Sequence, residues 1–196
     1  VEDYSALSLL ITSKGTFFIA DTYVSDEPTV EELVEMTTYA AAAVQRFGIA
    51  PKIALLSHSN FGSHQHPTAL RMREAVRQLH QRYPELEVEG EMHADAALSE
   101  EIRARIFPNS KLKGQANLLI MPTLDAANIA FNLLKVLGEG LSVGPLLLGT
   151  ACPAHIATPS ITARGVINLC AIAAVDAQSR AQCLPMPGEE PENDSA

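Results

Sequence analysis

The segment Lys52-Ile53-Ala54-Leu55-Leu56 runs directly into Ser57-His58-Ser59-Asn60-Phe61-Gly62-Ser63, and Pro67 then opens an amphipathic stretch that continues to residue 82. This unit constrains the fold more than any other feature. A five-residue run this apolar reads as a strand buried on both faces, and a strand that leads through a short loop into a helix is half of a parallel crossover. The pattern returns at residues 117–121, which pass through Pro122-Thr123-Leu124-Asp125-Ala126-Ala127-Asn128 into a helix over 125–137. There Ile129, Leu133, Leu134 and Leu137 share one helical stripe, and Gly138 stops it. Residues 86–91 predict a strand, 96–106 a helix, 145–148 a further buried strand and 162–182 an Ala-rich helix. At the start, residues 7–11 and 17–20 flank the turn residues Ser13-Lys14-Gly15 as a β-hairpin. Pro28-Thr29 then opens a helix with Glu31, Glu32 and Glu35 early, as the helix dipole favours, and Gly48 ends it. The order implies an α/β fold: a three-layer α/β/α domain with a mainly parallel sheet covered on both faces.

The 196 residues suffice for one such core, and 47% apolar with 19% charged residues excludes a disordered chain. The expected division is one region over residues 1–184 followed by an acidic, mobile tail over 185–196. A formal charge of −9 argues against nucleic acid, because phosphate neutralisation needs a basic surface. Cys152, Cys170 and Cys183 fit neither a disulfide framework nor a zinc pattern, which leaves buried or inert thiols as the expectation. The apolar runs are too short to span a bilayer and the start has no signal-peptide pattern, so a cytoplasmic, non-membrane protein is expected. The opening Val1-Glu2-Asp3-Tyr4 fits a piece of a longer polypeptide as well as a processed chain.

In parallel sheets ligands bind beyond the carboxyl ends of the strands, which selects residues 57–63 and 122–128 as the functional surface. In the first loop, hydroxyls, an amide and a glycine before a helix N-terminus suit a phosphate or carboxylate. The same residue types are also ordinary turn and cap residues. In the second, Asp125 is placed as a helix N-cap, the small Ala126 and Ala127 permit close approach, and Asn128 lies one turn in. Lys113-Gly114 just before the strand supplies a cation and a flexible joint. The spacing of His58, His64 and His66 matches no metal motif, and no metal is expected. His93 and His155 have no partner by spacing, and GxSxG, Walker and GxGxxG patterns are absent.

The string Lys113-Gly114-Gln115-Ala116-Asn117-Leu118-Leu119-Ile120-Met121-Pro122-Thr123-Leu124-Asp125-Ala126-Ala127-Asn128-Ile129 resembles the phosphate acetyltransferase and butyryltransferase family. There a GKAN strand leads into a PDLNAGN loop. Residues 57–63 with Pro67 and Arg73-Glu74-Ala75, and Gly144-Pro145 with Pro153, extend the likeness over nearly the whole chain. A narrower resemblance, through Ser5-Ala6-Leu7, Gly15, Asp21-Thr22-Tyr23-Val24, the loop over 57–63 and residues 153–165, is to the C-terminal transferase-like region of large bacterial NADP-dependent malic enzymes. These resemblances imply an isocitrate/isopropylmalate dehydrogenase-like lobe without the family's first lobe. They also imply acetyl-CoA, or a related acyl-CoA, as an allosteric effector and a homo-oligomer of at least two copies. The decarboxylase, with its NADP and divalent metal, would lie elsewhere in the same polypeptide, and the lobe itself would hold no cofactor.

Transferases resemble PVNDLSRGCSVEDIVN near their end, where Arg holds phosphate, Asp acts on the CoA thiol and Ser donates to the transferred carbonyl. Aligned without gaps, those positions are Pro159, Gly165 and Thr158 here. Proline offers no charged fork and glycine takes no proton, so the resemblance implies a lobe without phosphate acetyltransferase activity. Arg164 is the nearest substitute cation. The expected effector contacts are Ser57, Ser59, Asn60, Gly62, Ser63, Lys113, Asp125, Asn128 and Arg164, with no catalytic residue. Two alternatives stay open: an active acyltransferase moving acetyl between CoA and phosphate, and a lobe kept only for assembly.

Overall fold

A two-residue turn joins β1 (Ser5–Thr12) to β2 (Gly15–Ala20). Gly15 takes φ +134°, and the Thr12 hydroxyl both accepts from the Lys14 N–H and donates to the Gly15 carbonyl. This hairpin is the antiparallel part of a six-stranded sheet in the computed structural model, which describes residues 4–159 and 161–182. From β2 the chain crosses through α1 (Val30–Arg46) to β3 (Lys52–Leu56), then through α2 (Pro67–Arg82) to β4 (Glu87–Met92). Two short helices, α3 (Ala94–Leu98) and α4 (Glu100–Ile106), lead to β5 (Leu118–Ile120). The last elements are α5 (Leu124–Leu137), β6 (Leu141–Leu148) and α6 (Ala163–Gln182).

The strand order is β4-β3-β5-β2-β1-β6. β4, β3, β5 and β2 are parallel neighbours, and β1 runs antiparallel to both β2 and β6. Strand alternation divides the core in two. Phe18, Ile53, Leu55, Leu118 and Ile120 face one buried cluster with Leu33, Val44, Met72 and Leu79 of α1 and α2. Ile19, Ala54, Leu56 and Leu119 face the other, with Ala96, Ala97 and Ala127 of α3 and α5. Successive strand residues point to opposite faces, so each apolar run serves both layers. The expected three-layer α/β/α architecture with a mostly parallel sheet is the observed one.

Four local expectations are corrected. Residues 96–106 are not one helix: Ser99 adopts extended φ −128°, ψ 113° and caps α4, its hydroxyl accepting from the Ile102 N–H. The break lets Arg103 of α4 reach back, fully buried, to the carbonyls of Ala96, Leu112 and Gly114. The cap of α5 is Thr123, whose hydroxyl accepts from Ala126 N–H, and Asp125 lies exposed in the first turn. The last strand begins at Leu141 rather than residue 145, because it pairs with β1 as far as Leu141↔Ile11. Cys152 and Cys170 are free and exposed, not buried, whereas Cys183 and the tail over 185–196 lie outside the described residues. Among the described residues, no helix is long and apolar enough to cross a membrane.

The stripe on α5 is real but faces away from the core. Leu134 packs against the second cluster, while Ile129, Leu133 and Leu137 are 59%, 56% and 80% exposed. Val136, on the same side of α5, is also exposed, as is Leu141 at the start of β6.

Candidate functional site

β2, β3 and β5 end at the same edge of the sheet, and the loops that follow them define one end of the molecule. The loop after β3 is built around a carboxylate from β4. The β3–β4 register shifts between Leu55↔Gly90 and Leu56↔Met92, which leaves Glu91 as a bulge residue with no opposite partner. Gly90 permits it: a Cβ there would stand 2.7 Å from the Leu55 carbonyl oxygen. The Glu91 side chain, fully buried, turns toward residues 59–62 and accepts from Ser59 Oγ at 2.7 Å and Gly62 N at 2.9 Å. Arg73 of α2 closes the cage with Nε and Nη2 bonds of 3.1 Å to the two carboxylate oxygens, and its Nη2 also donates to the His64 carbonyl. Burial alone would raise the Glu91 pKa. The bonds from Arg73, Ser59 and the Gly62 N–H outweigh it and hold the carboxyl below its ordinary value, while Glu91 raises that of Arg73.

The loop that reads as an anion cradle thus already holds an internal anion. Ser57 Oγ accepts from Ser59 N, Ser63 Oγ accepts from Asn60 N, and Asn60 Oδ1 accepts from His93 N. Phe61, at φ 46°, stacks on Phe107 with ring centroids 4.5 Å apart. Ser57, Ser59, Asn60, Gly62 and Ser63 are brought together, but chiefly to bind each other and Glu91. Neither Glu91 nor Arg73 is among the contacts expected from the sequence, where Arg73 enters only as part of the family resemblance. The signal available was two acids bracketing a glycine at the end of a predicted strand, which marks a bulge.

The second loop joins the first through Arg71 of α2, whose Nη2 donates to the Pro122 carbonyl at 3.0 Å. Leu124 N donates to Asp26 O, tying in the loop after β2. Asn128 Oδ1 accepts from Asn132 Nδ2 at 3.0 Å, and Asn132 lines a cleft between α5, the start of β6 and the start of α6. Tyr23, Phe131, Lys135, Ser142, Thr158 and Gly165 also line it. Among the described residues, Lys135 is its only charged lining residue and no carboxylate lines it. Thr158 and Gly165 therefore line one cleft. A Cβ on Gly165 would lie 2.8 Å from Ile161 Cγ1, so a larger side chain needs Ile161 to move.

Two predicted contacts go elsewhere. Lys113 precedes β5, at the amino ends of the strands; its N–H donates to Glu87 Oε1 and its carbonyl accepts from Lys52 Nζ, both residues that open their strands. It stands across the sheet from the loops. Arg164 is exposed in the first turn of α6 and is not among the residues that line the cleft. Asp125 is exposed in the first turn of α5, at the second loop. Among the described residues, no group of three His, Cys, Asp or Glu side chains has the geometry to hold a metal ion.

A six-stranded, mostly parallel sheet covered by helices on both faces defines the α/β class of the chain. The chain belongs to the phosphate acetyl/butaryl transferase family, whose pattern it matches over residues 1–174. It is 52% identical over 176 residues to an NAD-dependent malic enzyme of Rhizobium meliloti, covering 90% of this chain and 23% of that protein. An NADP-dependent malic enzyme of Escherichia coli is 51% identical over 181 residues, or 92% and 24% of the two chains. The chain thus spans about a quarter of the length of these relatives. A phosphotransacetylase from Streptococcus pyogenes superposes with TM-score 0.87 at 31% identity, over 91% of this chain and 55% of that one.

Proposed function

We propose that the chain is a regulatory acetyl-CoA-binding and assembly lobe of a malic enzyme, one that binds the thioester without turning it over. The observation that carries this reading is the cleft of Thr158, Lys135 and Gly165, where among the described residues a cation is available to the ligand and no carboxylate lines the wall to take a proton from a thiol. The ligand would lie along Asn128, Asn132 and Lys135, with its phosphates toward the first turn of α2 and Arg71. Its effect on a distant decarboxylase follows from unequal affinity for two quaternary states. On this reading the same polypeptide carries a decarboxylase with a nicotinamide cofactor and a divalent metal, in the cytoplasm; the similarity to malic enzymes is what supports the decarboxylase. One relative is named for NAD and one for NADP, so the likeness does not select the nicotinamide.

The test uses the complete polypeptide that carries these residues. Titration calorimetry is expected to give saturable acetyl-CoA binding and a shifted rate of malate decarboxylation, with no acetyl phosphate formed from acetyl-CoA and inorganic phosphate. Acetyl phosphate production would overturn the reading in favour of an active transferase. Absence of binding heat would leave assembly alone.

The assembly half has its own test. The exposed α5 face of Ile129, Leu133, Val136 and Leu137 is the surface a second copy would cover. Leu133→Glu with Leu137→Glu is expected to lower the oligomer's mass in light scattering, because two carboxylates would then be buried without partners. An unchanged mass takes α5 out of the interface.

A further inference from the structure

The cleft between α5, β6 and α6 is graded from polar to apolar. Of its lining residues, Asn132, Lys135 and Thr162 are exposed, whereas Pro145 is buried and Val143 and Ile161 pack against the first core cluster. The cleft has a volume of about 200 Å³, below the ~300–1,000 Å³ of pockets that enclose a whole drug-sized molecule. It therefore takes one end of a larger ligand, and its apolar floor selects an end that is apolar and small. Ile161 sets the size of that end. Its N–H donates to the Thr158 carbonyl at 3.0 Å, and the hydroxyl of Thr162 beside it accepts from the Gly165 N–H at 3.1 Å, so a turn and a helix start fix the backbone on either side of it. Gly165 has no side chain to hold the isoleucine off. A Cβ there would stand 2.8 Å from Ile161 Cγ1 and 3.4 Å from Ile161 Cδ1, so the longer arm of Ile161 lies over the first turn of α6 in the space a side chain at 165 would fill.

We infer that Ile161 determines which acyl-CoA the cleft accepts, by closing its apolar floor to acyl groups longer than acetyl. This role rests on the effector reading and adds to it the acyl preference of the same site. An acyl-CoA carries its charge on its phosphates, and its acyl chain is the end that gains by leaving water. Lys135 and Asn132 keep the polar part of the ligand on the exposed side, and the acyl end meets Pro145, Val143 and Ile161. An acetyl group ends in a single methyl. A butyryl group brings two further methylenes, which must displace Ile161 or stay in water. Displacement is costly because the side chain already rests on the core on one side and on the glycine on the other, and close-packed neighbours do not yield to added volume. A pocket short of room for one methylene discriminates by roughly 10-fold to 200-fold. An isoleucine that served packing alone would behave differently, since its truncation would weaken every ligand of the cleft alike.

The experiment is calorimetric titration of the complete polypeptide with coenzyme A, acetyl-CoA and n-butyryl-CoA. Unmodified protein is expected to bind acetyl-CoA about tenfold or more tightly than n-butyryl-CoA. Ile161→Ala is expected to lose that preference, the ratio of butyryl to acetyl affinity rising about tenfold as the floor opens. Ile161→Val, which removes one methyl and keeps the branch at Cβ, is expected to give a smaller rise in the same direction, and it carries the test if the alanine variant fails to fold. Unmodified protein that shows no preference for acetyl-CoA, or variants whose ratio stays at the unmodified value, overturns the role of Ile161 while leaving the effector reading in place. So does coenzyme A that binds as tightly as acetyl-CoA, because the acyl group then gains nothing from the floor. Acetyl-CoA failing to bind unmodified protein overturns both.

Discussion

Replacing Glu91 by glutamine is expected to destabilise the protein by about 2–4 kcal/mol and to loosen the loop after β3 first. The amide keeps the volume and can still accept from Ser59 Oγ and the Gly62 N–H, but its NH2 end then meets the Arg73 guanidinium, donor against donor. Arg73 is about a third exposed and can turn to water, which keeps the loss below that of a wholly buried pair. Urea unfolding gives the magnitude, and amide exchange at residues 59–64 shows where it is felt. A change under about 0.5 kcal/mol, the usual range for a surface substitution, would mean that Glu91 does not organise the loop. The pH dependence has a definite sign. Because the folded-state pKa of Glu91 is depressed, its contribution is fully present above the unfolded carboxylate value and is lost as pH falls through the folded one. The glutamine variant is expected to lack that acid-side component of the unfolding curve.

Arg103→Ala is expected to cost about 3–5 kcal/mol. The guanidinium is 1% exposed and donates to Ala96 O at 2.8 Å, Leu112 O at 2.9 Å and Gly114 O at 2.7 Å. Truncation leaves three buried carbonyls without their donor and opens a cavity beneath α4. Arg103→Lys is expected to recover little, since one ammonium on a single stem does not span carbonyls on both sides as the planar fork does. Chemical denaturation of the two variants decides it, and full recovery by lysine would show that charge alone matters there. The loss reaches the site, because this arginine holds residues 112–114 against α3 just before β5, and β5 presents the second loop.

Much of the frame is legible one segment at a time. Thr29 followed by Glu32 marks the start of α1, and the structure closes that capping box. Ile53 and Leu55 on one face, with Ala54 and Leu56 on the other, follow from apolar residues at every strand position. The failures share a cause. Ser99 followed by Glu100 and Glu101 is itself a cap signal, passed over because apolar residues continue on both sides of it, and the structure adds the Arg103 bonds to the carbonyls of Ala96 and Leu112 that the break permits. Lys113 was grouped with the loops by nearness to them in sequence, yet a residue before a strand lies a strand's length from the residues after it.

The amino-acid sequence by itself determined the alternation of strands and helices and the two loops at the carboxyl ends of β3 and β5. These are local properties, set by side-chain period, turn chemistry and the identity of single residues. Tertiary structure alone decided that the serine-rich loop closes on Glu91 and Arg73 and that Thr158 and Gly165 share a cleft with Lys135. A hydrogen-bonding group is open to a ligand only if no other part of the chain satisfies it. The partners that satisfy these groups come from strands and helices distant in sequence, brought within bonding distance by the packing of the sheet.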